Sequence, residues 1–289
     1  MDGVASTAVA VAAGRALESS RPDALVRDPW AAALVERAGV QFAFPERWPD
    51  DPLSVEPLEQ SLLIGSLYVG LRTRFIDDQV AAAGLRQVVI LGSGLDTRAW
   101  RLDWPVGTAV FELDTPEIID FVSSVMEGEV ASCTRIPIAA DVTAPWASRI
   151  VANGFRPDAP TTWVLEGLLP YLSAADQSAL LDDLTALSAP GSHAVIERAT
   201  AIENSPQARE RLETFSRMSG LPMTEVLARA DPPDPATVLT EHGWTAEHVS
   251  IAALQKRYGR TLSLDASKPA PAGTRGGLVL ARRPSRSRT

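Results

Sequence analysis

The stretch Gln87–Glu117, QVVILGSGLDTRAWRLDWPVGTAVFELDTPE, decides the predicted fold. It begins with the apolar, largely β-branched run Val88–Leu91, which is typical of a strand covered on both faces of a parallel sheet. Gly92 and Gly94 follow, and glycines at such a bend permit positive φ angles and let a ligand approach the backbone closely. A helix is predicted to begin near Leu95, with its free N–H groups directed at the space above the bend. The stretch therefore predicts a strand, a glycine turn and a helix, which together form the first unit of an α/β fold.

An acidic residue follows the next predicted strand. That strand covers Ala109–Leu113, and Asp114 comes twenty residues after Gly94. The spacing places a carboxylate beside the ribose hydroxyls of a nucleoside-type cofactor. A dinucleotide fingerprint would need a third glycine where Thr97 stands, and Asp96 would repel a phosphate. The pattern favours a cofactor with ribose and adenine but no phosphate at the turn, such as S-adenosylmethionine, although a plain β–α turn also uses glycine.

The composition is typical of a globular protein with a sizeable core. A length of 289 residues suits one large α/β domain with an added subdomain. The net charge of −9 argues against a nucleic-acid partner, because such binding depends on phosphate neutralisation by basic residues. Cys133 is the single cysteine, which excludes an intrachain disulfide and a cysteine-built metal site and fits a reducing cytoplasm. No apolar run reaches the roughly 18 residues of a membrane span, so we expect a cytoplasmic protein.

Strands and helices alternate through the middle of the chain. Strands are predicted over Val88–Leu91, Ala109–Leu113, Arg135–Ala139, Thr162–Leu165 and His193–Glu197, with a final, antiparallel strand over Leu278–Ala281. This alternation predicts a doubly wound, mostly parallel sheet with right-handed crossovers. Because parallel strands end at a common edge, we expect the Gly92 turn, Asp114, Asp141 and Glu166 to converge there.

The remaining segments divide the chain into regions. Residues 1–84 form a predicted N-terminal helical cap, with helices over Ser6–Ser19, from Asp28 and Pro29 to Ala38, and over Leu58–Ala83. The predicted core covers 85–199 and 234–283, and it includes a helix over 235–242 and a strand over 244–251. Residues 200–233 are a predicted helical lid inserted on the ligand edge, and residues 284–289 are a basic, solvated tail.

Three motifs resemble the leucine carboxyl methyltransferase family. They are GSGLDTR at 92–98, WRL at 100–102 and FELDTP at 111–116, and the similarity extends from about Ala16 to about Val279. It is greatest to an actinobacterial branch of S-adenosylmethionine-dependent O-methyltransferases, which includes polyketide carboxyl O-methyltransferases. The resemblance implies a Rossmann-like class I methyltransferase sheet and S-adenosyl-L-methionine as the cofactor.

The resemblance also implies roles for individual residues. It gives Asp114 to the ribose, Asp141 and Val142 to the adenine edge, and Arg72 to the methionine carboxylate, with further cofactor positions at Gly92, Gly94 and Glu166. The block EGLLPYL at 166–172 matches the family's E-x-x-L-x-Y, whose tyrosine, here Tyr171, is expected near the methyl acceptor. Ordinary structural roles stay open for Arg72 as an exposed helix residue, Glu166 as a helix cap and Tyr171 as a packing residue.

The chain departs from this family at one position. Members that act on protein C-termini carry an arginine directly after an Asp-Leu pair, whereas here Thr143 follows Asp141 and Val142. A small-molecule acceptor is therefore expected, and the missing cation would come from one of four arginines, Arg74, Arg98, Arg198 and Arg217.

The histidines bear on the acceptor class. None of His193, His242 and His248 is predicted close enough to act as a general base. A carboxylate with a pKa of about 4 is already ionised and needs no base, whereas a phenol benefits from one. We therefore expect O-methylation of a carboxylate. The alternatives are methylation of a phenol or hydroxyl, a non-catalytic cofactor-binding protein, and a dehydrogenase, which Thr97 and Asp96 disfavour; a homodimer is left open.

Overall fold

A computed structural model describes residues 3–40, 44–198, 233–265 and 276–285, and also positions 210, 213, 214, 216 and 217. The predicted lid (200–233) and the basic tail (284–289) therefore lie mostly outside the described residues. Across the described part of the chain, no helix is long and apolar enough to cross a membrane.

One sheet organises the described residues. Its strands are β1 (Gln87–Leu91), β2 (Ala109–Asp114), β3 (Thr134–Ala139), β4 (Thr162–Leu165), β5 (His193–Glu197), β6 (Thr245–Ser250) and β7 (Gly277–Arg282). They lie in the order β3-β2-β1-β4-β5-β7-β6. The pairings among β1 to β5 are parallel, and β7 runs antiparallel to both of its neighbours. The doubly wound sheet with an antiparallel last strand is confirmed.

Helices cover both faces of this sheet. They are α1 (Gly3–Ser19), α2 (Ala31–Ala38), α3 (Pro57–Ala83), α4 (Arg98–Arg101), α5 (Pro116–Val125), α6 (Ala147–Ala152), α7 (Ala174–Ala186), α8 (Pro235–Glu241) and α9 (Ile251–Tyr258). Val89 and Leu91 of β1 pack into one apolar cluster, while Val88 and Ile90 pack into a second cluster with α3. Burial on both faces explains why β1 is a continuous apolar run rather than an alternating one.

Three helices differ from the sequence prediction. α2 begins at Ala31 rather than at Pro29, although the carboxylate of Asp28 does accept hydrogen bonds from the N–H groups of Trp30 and Ala31, both at 3.1 Å. α4 is a single turn from Arg98 rather than a helix from near Leu95. α9 was not predicted: its first residue, Ile251, was assigned to the preceding strand.

Candidate active site

A cavity lies at the edge of the sheet where β1 to β4 end. Its wall contains all eight predicted site residues: Arg72, Gly92, Gly94, Asp114, Asp141, Val142, Glu166 and Tyr171. The strand ends contribute the glycine turn and three carboxylates, α3 contributes Arg72, and the short 3₁₀ turn Leu169–Tyr171 contributes the tyrosine. The convergence expected from parallel strands is therefore present.

The glycine turn after β1 leaves bare backbone facing the cavity. Gly92 and Gly94 have φ angles of 63° and 52°, in the left-handed region that favours glycine. A Cβ on Gly92 would stand 2.7 Å from Cδ1 of Leu168, and one on Gly94 would stand 3.3 Å from Cβ of Ala8. Ser93 donates a backbone hydrogen bond to the carbonyl of Leu113 at 3.0 Å, which ties the turn to the end of β2. A side chain at either position would press on another residue of the cavity wall.

Asp114 is fixed by backbone groups at the end of β2. One carboxylate oxygen accepts from the N–H of Gly94 and the other from the N–H of Thr115, both at 2.7 Å. Burial raises the pKa of Asp114 above its ordinary value, and these two hydrogen bonds offset part of that rise. Each carboxylate oxygen keeps a further lone pair, so together they can accept from a pair of ribose hydroxyls.

Asp141 is exposed and is oriented by Thr143. Its Oδ1 accepts from both the N–H and the hydroxyl of Thr143 at 2.8 Å. Its Oδ2 makes no hydrogen bond to the described residues, so it is available to an exocyclic amino group. Val142 beside it packs against the apolar cluster of the core. Thr143, the residue directly after Asp141 and Val142, thus supports the aspartate and supplies no cation.

Arg72 is clamped by two glutamates. Its Nε donates to Oε1 of Glu166 at 2.8 Å, and its Nη1 donates to both carboxylate oxygens of Glu197 at 2.8 and 3.1 Å. Burial alone would lower the pKa of Arg72, but Glu197 and Glu166 raise it above its ordinary value. Glu197 was missed by the sequence prediction, although its place at the end of β5 on the same sheet edge was a usable signal.

Arg98 is a structural cation rather than a free one. Only 2% of its side chain is exposed, and it is paired with Asp77 at 2.7 Å and also with Asp96. Its Nη2 also lies 2.7 Å from Oε2 of Glu166. These two groups form an ion pair, but their geometry does not meet that of a hydrogen bond. Burial would raise the pKa of Glu166, but the charges of Arg98 and Arg72 hold it well below its ordinary range, so Glu166 is ionised. Arg98 also neutralises Asp96, which therefore does not act as the free phosphate-repelling charge expected from sequence.

The other three candidate arginines are outside the described wall of this cavity. Arg74 is paired with Asp78 at 2.9 Å and lines a separate cavity. Arg198 lies 3.5 Å from Asp234, and Arg217 is exposed.

Arg15 lines the cavity instead and was missed. Its Nε donates to Asp28 at 2.9 Å, its Nη2 donates to the carbonyl of Leu95, and its Nη1 has no hydrogen-bond partner among the described residues. A single arginine within the alanine-rich run of α1 was the signal for it.

Tyr171 lies in a different part of the wall. Burial raises the pKa of Tyr171 above its ordinary value, although a side-chain hydrogen bond with Thr7 of α1 lowers it in part. Three aliphatic residues, Val11, Leu168 and Leu172, line the same cavity, and the charges of Arg72 and Glu197 also act on the pKa of Tyr171. Tyr171 and Thr7 therefore add hydroxyl groups to a wall that also contains aliphatic side chains.

No histidine lines the described wall of the cavity. His193 is the first residue of β5, at the opposite edge of the sheet. His242 is hydrogen-bonded to Asp182 at 2.7 Å, and His248 to Asp234 at 3.0 Å.

The charges of the described wall favour a cationic cofactor. Four carboxylates line it, of which Asp96 and Glu166 are paired with Arg98, whereas Asp114 and Asp141 have no cationic partner among the described residues. An excess of carboxylates disfavours the two phosphates of a dinucleotide and favours a sulfonium compound that also carries an ammonium group. Together with the bare glycine turn and the acid at ribose distance, this charge balance fits S-adenosylmethionine.

Comparisons with known proteins agree with this chemistry. A family model described as leucine carboxyl methyltransferase matches residues 8–185. A protein of Saccharopolyspora erythraea named "Putative S-adenosyl-L-methionine-dependent methyltransferase" is 39% identical, with 98% of this chain and 96% of that protein covered. A similarly named protein of Rhodococcus jostii is 36% identical over 89% of this chain and 88% of its own length.

A solved structure shares the fold. The crystal structure of a "putative methyltransferase" from Thermobifida fusca superposes with a TM-score of 0.53 over 94% of both chains, at 16% sequence identity.

Proposed function

Because the chain belongs to the leucine carboxyl methyltransferase family and is an S-adenosylmethionine-dependent methyltransferase, we propose that it methylates a carboxylate oxygen of a small molecule. The observation that carries this proposal is that no histidine lines the described cavity wall, and that its carboxylates other than Asp141, which we assign to the adenine, are held by ion pairs or by backbone hydrogen bonds. An ionised carboxylate attacks without losing a proton, whereas a phenol must lose one.

The cofactor has a proposed place in this cavity. Asp114 accepts from the ribose hydroxyls, Asp141 and Val142 contact the adenine edge, and the free Nη2 of Arg72 faces the methionine carboxylate. S-adenosylmethionine supplies a methyl group on a positively charged sulfur when it is bound. The wall then has to hold the acceptor oxygen in line with that methyl group and at close range, which is the main source of rate in such a displacement.

The acceptor is proposed to lie against Tyr171. The hydroxyl of Tyr171 donates to the carboxylate oxygen that does not react, and Val11 and Leu172 contact the body of the molecule. Arg15 and Arg72 each carry one nitrogen without a hydrogen bond to the described residues, so they are available to the two carboxylates that this reaction needs. Arg15 thus takes the part that Arg74, Arg98, Arg198 and Arg217 were expected to play.

We further propose that residues 1–84 act as a cap on the cofactor and that 200–233 act as a lid. The cap is supported by α1, which contributes Thr7, Ala8, Val11 and Arg15 to the cavity wall. The lid proposal rests on sequence alone.

A neutral hydroxyl is the second candidate acceptor. The unpaired carboxylates Asp114 and Asp141 would repel an anion, and the aliphatic residues Val11, Leu168 and Leu172 of the wall would accommodate a phenol.

The pH dependence of methyl transfer distinguishes the two acceptors. We would assay matched aromatic carboxylic acids and phenols with labelled S-adenosylmethionine at saturating cofactor. For a carboxylic acid, we expect a rate that is nearly constant between about pH 6 and 8.5, because the acceptor is already ionised, and an ester product that mild base cleaves. A rate that rises up to about tenfold per pH unit with the phenols alone would favour the hydroxyl acceptor. Tight cofactor binding without transfer to any compound would favour a non-catalytic protein.

A further inference from the structure

We propose that Glu197, which lies behind the cavity wall, is a positioning residue that fixes Arg72 for the methionine carboxylate, and that Tyr68 acts through Glu197. The inference rests on the proposed place of Arg72 in the cofactor site. It concerns how that arginine is held, and Glu197 itself is not part of the described cavity wall.

The contacts of Arg72 fix the orientation of its guanidinium group. Nε is used by Glu166 and Nη1 by both oxygens of Glu197, so Nη2 is the nitrogen that remains for a ligand. The ring of Tyr68 lies 5.7 Å from the guanidinium carbon. Because a guanidinium group is planar and rigid, two fixed edges determine the direction of the third.

Glu197 is suited to this task because several donors converge on it. Its Oε1 accepts from the hydroxyl of Tyr68 at 2.5 Å as well as from Arg72, and its Oε2 accepts from Arg72 and from the backbone N–H of Gly167 at 2.8 Å. An ionised carboxylate has about four acceptor positions, and these four contacts use them. Gly167 and Arg72 both line the cavity, so one buried carboxylate joins two parts of its wall.

A glutamine in place of Glu197 would put a hydrogen-bond donor where one carboxylate oxygen now accepts. Its NH₂ group would face donors on Arg72 or Gly167, and the negative charge that balances Arg72 would be lost. Arg72 would then turn toward Glu166, and its Nη2 would no longer face the methionine part of the cofactor.

The test compares two ligands that share adenosine. S-adenosylhomocysteine carries the amino-acid part, whereas 5′-methylthioadenosine lacks it. In calorimetric titrations of the full chain, we expect Glu197→Gln to weaken S-adenosylhomocysteine binding about tenfold to a hundredfold, and methylthioadenosine binding by less than about twofold. Tyr68→Phe, which removes only one hydroxyl and keeps the carboxylate, should act in the same direction with a smaller effect. In an Arg72→Ala background, Glu197→Gln should add no further loss.

Glu112→Gln is the matched control. Glu112 is also a buried glutamate on a strand of the sheet, β2, and is paired with Arg135 at 2.7 Å, but it is outside the described cavity wall. The Glu112→Gln variant should bind S-adenosylhomocysteine and methylthioadenosine as tightly as the unchanged protein does. An equal loss of both ligands in Glu197→Gln would mean a general loosening of the fold and would overturn the inference. Unchanged S-adenosylhomocysteine binding in Glu197→Gln and Tyr68→Phe, with a loss in Arg72→Ala, would overturn it as well. Unchanged binding in Arg72→Ala would instead remove Arg72 from the cofactor site, independently of the acceptor.

Discussion

The charge of Asp114 connects ligand binding to pH. Burial raises the pKa of this carboxyl, and only its ionised form can accept from both ribose hydroxyls. As the pH falls through this raised pKa, the group gains a proton and loses acceptor capacity, so cofactor affinity should decrease on acidification.

Substitution of Asp114 should remove this dependence. We expect Asp114→Ala to weaken S-adenosylhomocysteine binding by about 1–3 kcal/mol at pH 8, because hydrogen-bonding partners are left unpaired. We also expect the affinity of this variant to fall less on acidification than that of the unchanged protein, because the titrating carboxyl is gone. Titration calorimetry at pH 5.5 and pH 8 would measure both effects. Asp120→Ala, on the exposed face of α5, serves as the control. If Asp114→Ala bound the ligand as well as Asp120→Ala does, Asp114 would not be a ribose ligand.

Single residues were predictable where the sequence places them at strand ends. Asp114, Asp141 and Glu166 follow consecutive predicted strands, and the parallel arrangement then brings them together. Glu197 and Arg15 were missed although their positions carried a signal, and their pairings are set by tertiary packing: Glu197 is paired with an arginine 125 positions away in the chain. Hydrophobic periodicity carries no information about such pairs.

At the level of elements, the turn after β1 depends on the absence of a side chain. In Gly92→Ala, the left-handed φ and the approach of the new Cβ to Leu168 both oppose the native turn. Gly39→Ala is the matched control, because Gly39 has a φ of 64° and no atom lies within 4 Å of the point that its Cβ would occupy.

Comparison of these two variants isolates the steric contact. We expect Gly39→Ala to lose about 1 kcal/mol of unfolding free energy, and Gly92→Ala to lose at least about 1 kcal/mol more and to bind S-adenosylhomocysteine more weakly. Chemical denaturation and calorimetry would measure these values. Equal losses in stability together with unchanged ligand affinity would show that Leu168 moves aside without consequence.

Elements were predictable to the extent that local pattern determines them. β4 and β5 have the predicted bounds, because both are short apolar runs between polar segments. α4 is shorter than predicted, since the carboxylate of Asp96 accepts from the N–H of Arg98 at 2.6 Å and holds the preceding residues in a turn. α9 follows β6 without a gap, and the hydroxyl of Ser250 caps it by accepting from Ala253 at 3.1 Å, a local signal that the prediction did not use.

Across the whole molecule, buried ion pairs connect α3 to the cavity edge of the sheet. Asp77 of α3 accepts from Arg98 at 2.7 Å and from Arg101 at 2.9 Å. Arg98 in turn is paired with Glu166, which is held by Arg72. The cavity wall is thus the inner end of a chain of alternating charges.

Removing one carboxylate from this chain should destabilise the fold. Asp77→Asn leaves two buried guanidinium groups without their shared partner, so we expect a loss of about 3–5 kcal/mol in unfolding free energy. Asp78→Asn, the adjacent and more exposed aspartate paired with Arg74, should lose at most about 1 kcal/mol. Urea denaturation measures both. Similar losses in the two variants would mean that burial adds nothing to the Asp77 pairs.

The overall architecture was the most predictable level, because alternating strands and helices with right-handed crossovers permit few arrangements. The sequence could not predict which arginines are available to a ligand in the cavity, because this depends on which of them are paired with buried carboxylates. Arg98 was a reasonable candidate from its sequence position, yet three carboxylates already surround it.

The position of β7 has a consequence for biosynthesis. β7 lies between β5 and β6, so β6, although it is translated first, has no backbone partner among the described strands until residues 277–282 have left the ribosome. The half of the sheet that contains β1 to β4 can pair while translation continues. β6 meanwhile presents an unpaired edge of the kind that promotes association between nascent chains. The pairings of β7 with β5 and β6 are therefore the last that can form, after the strands that end at the cavity have all been translated.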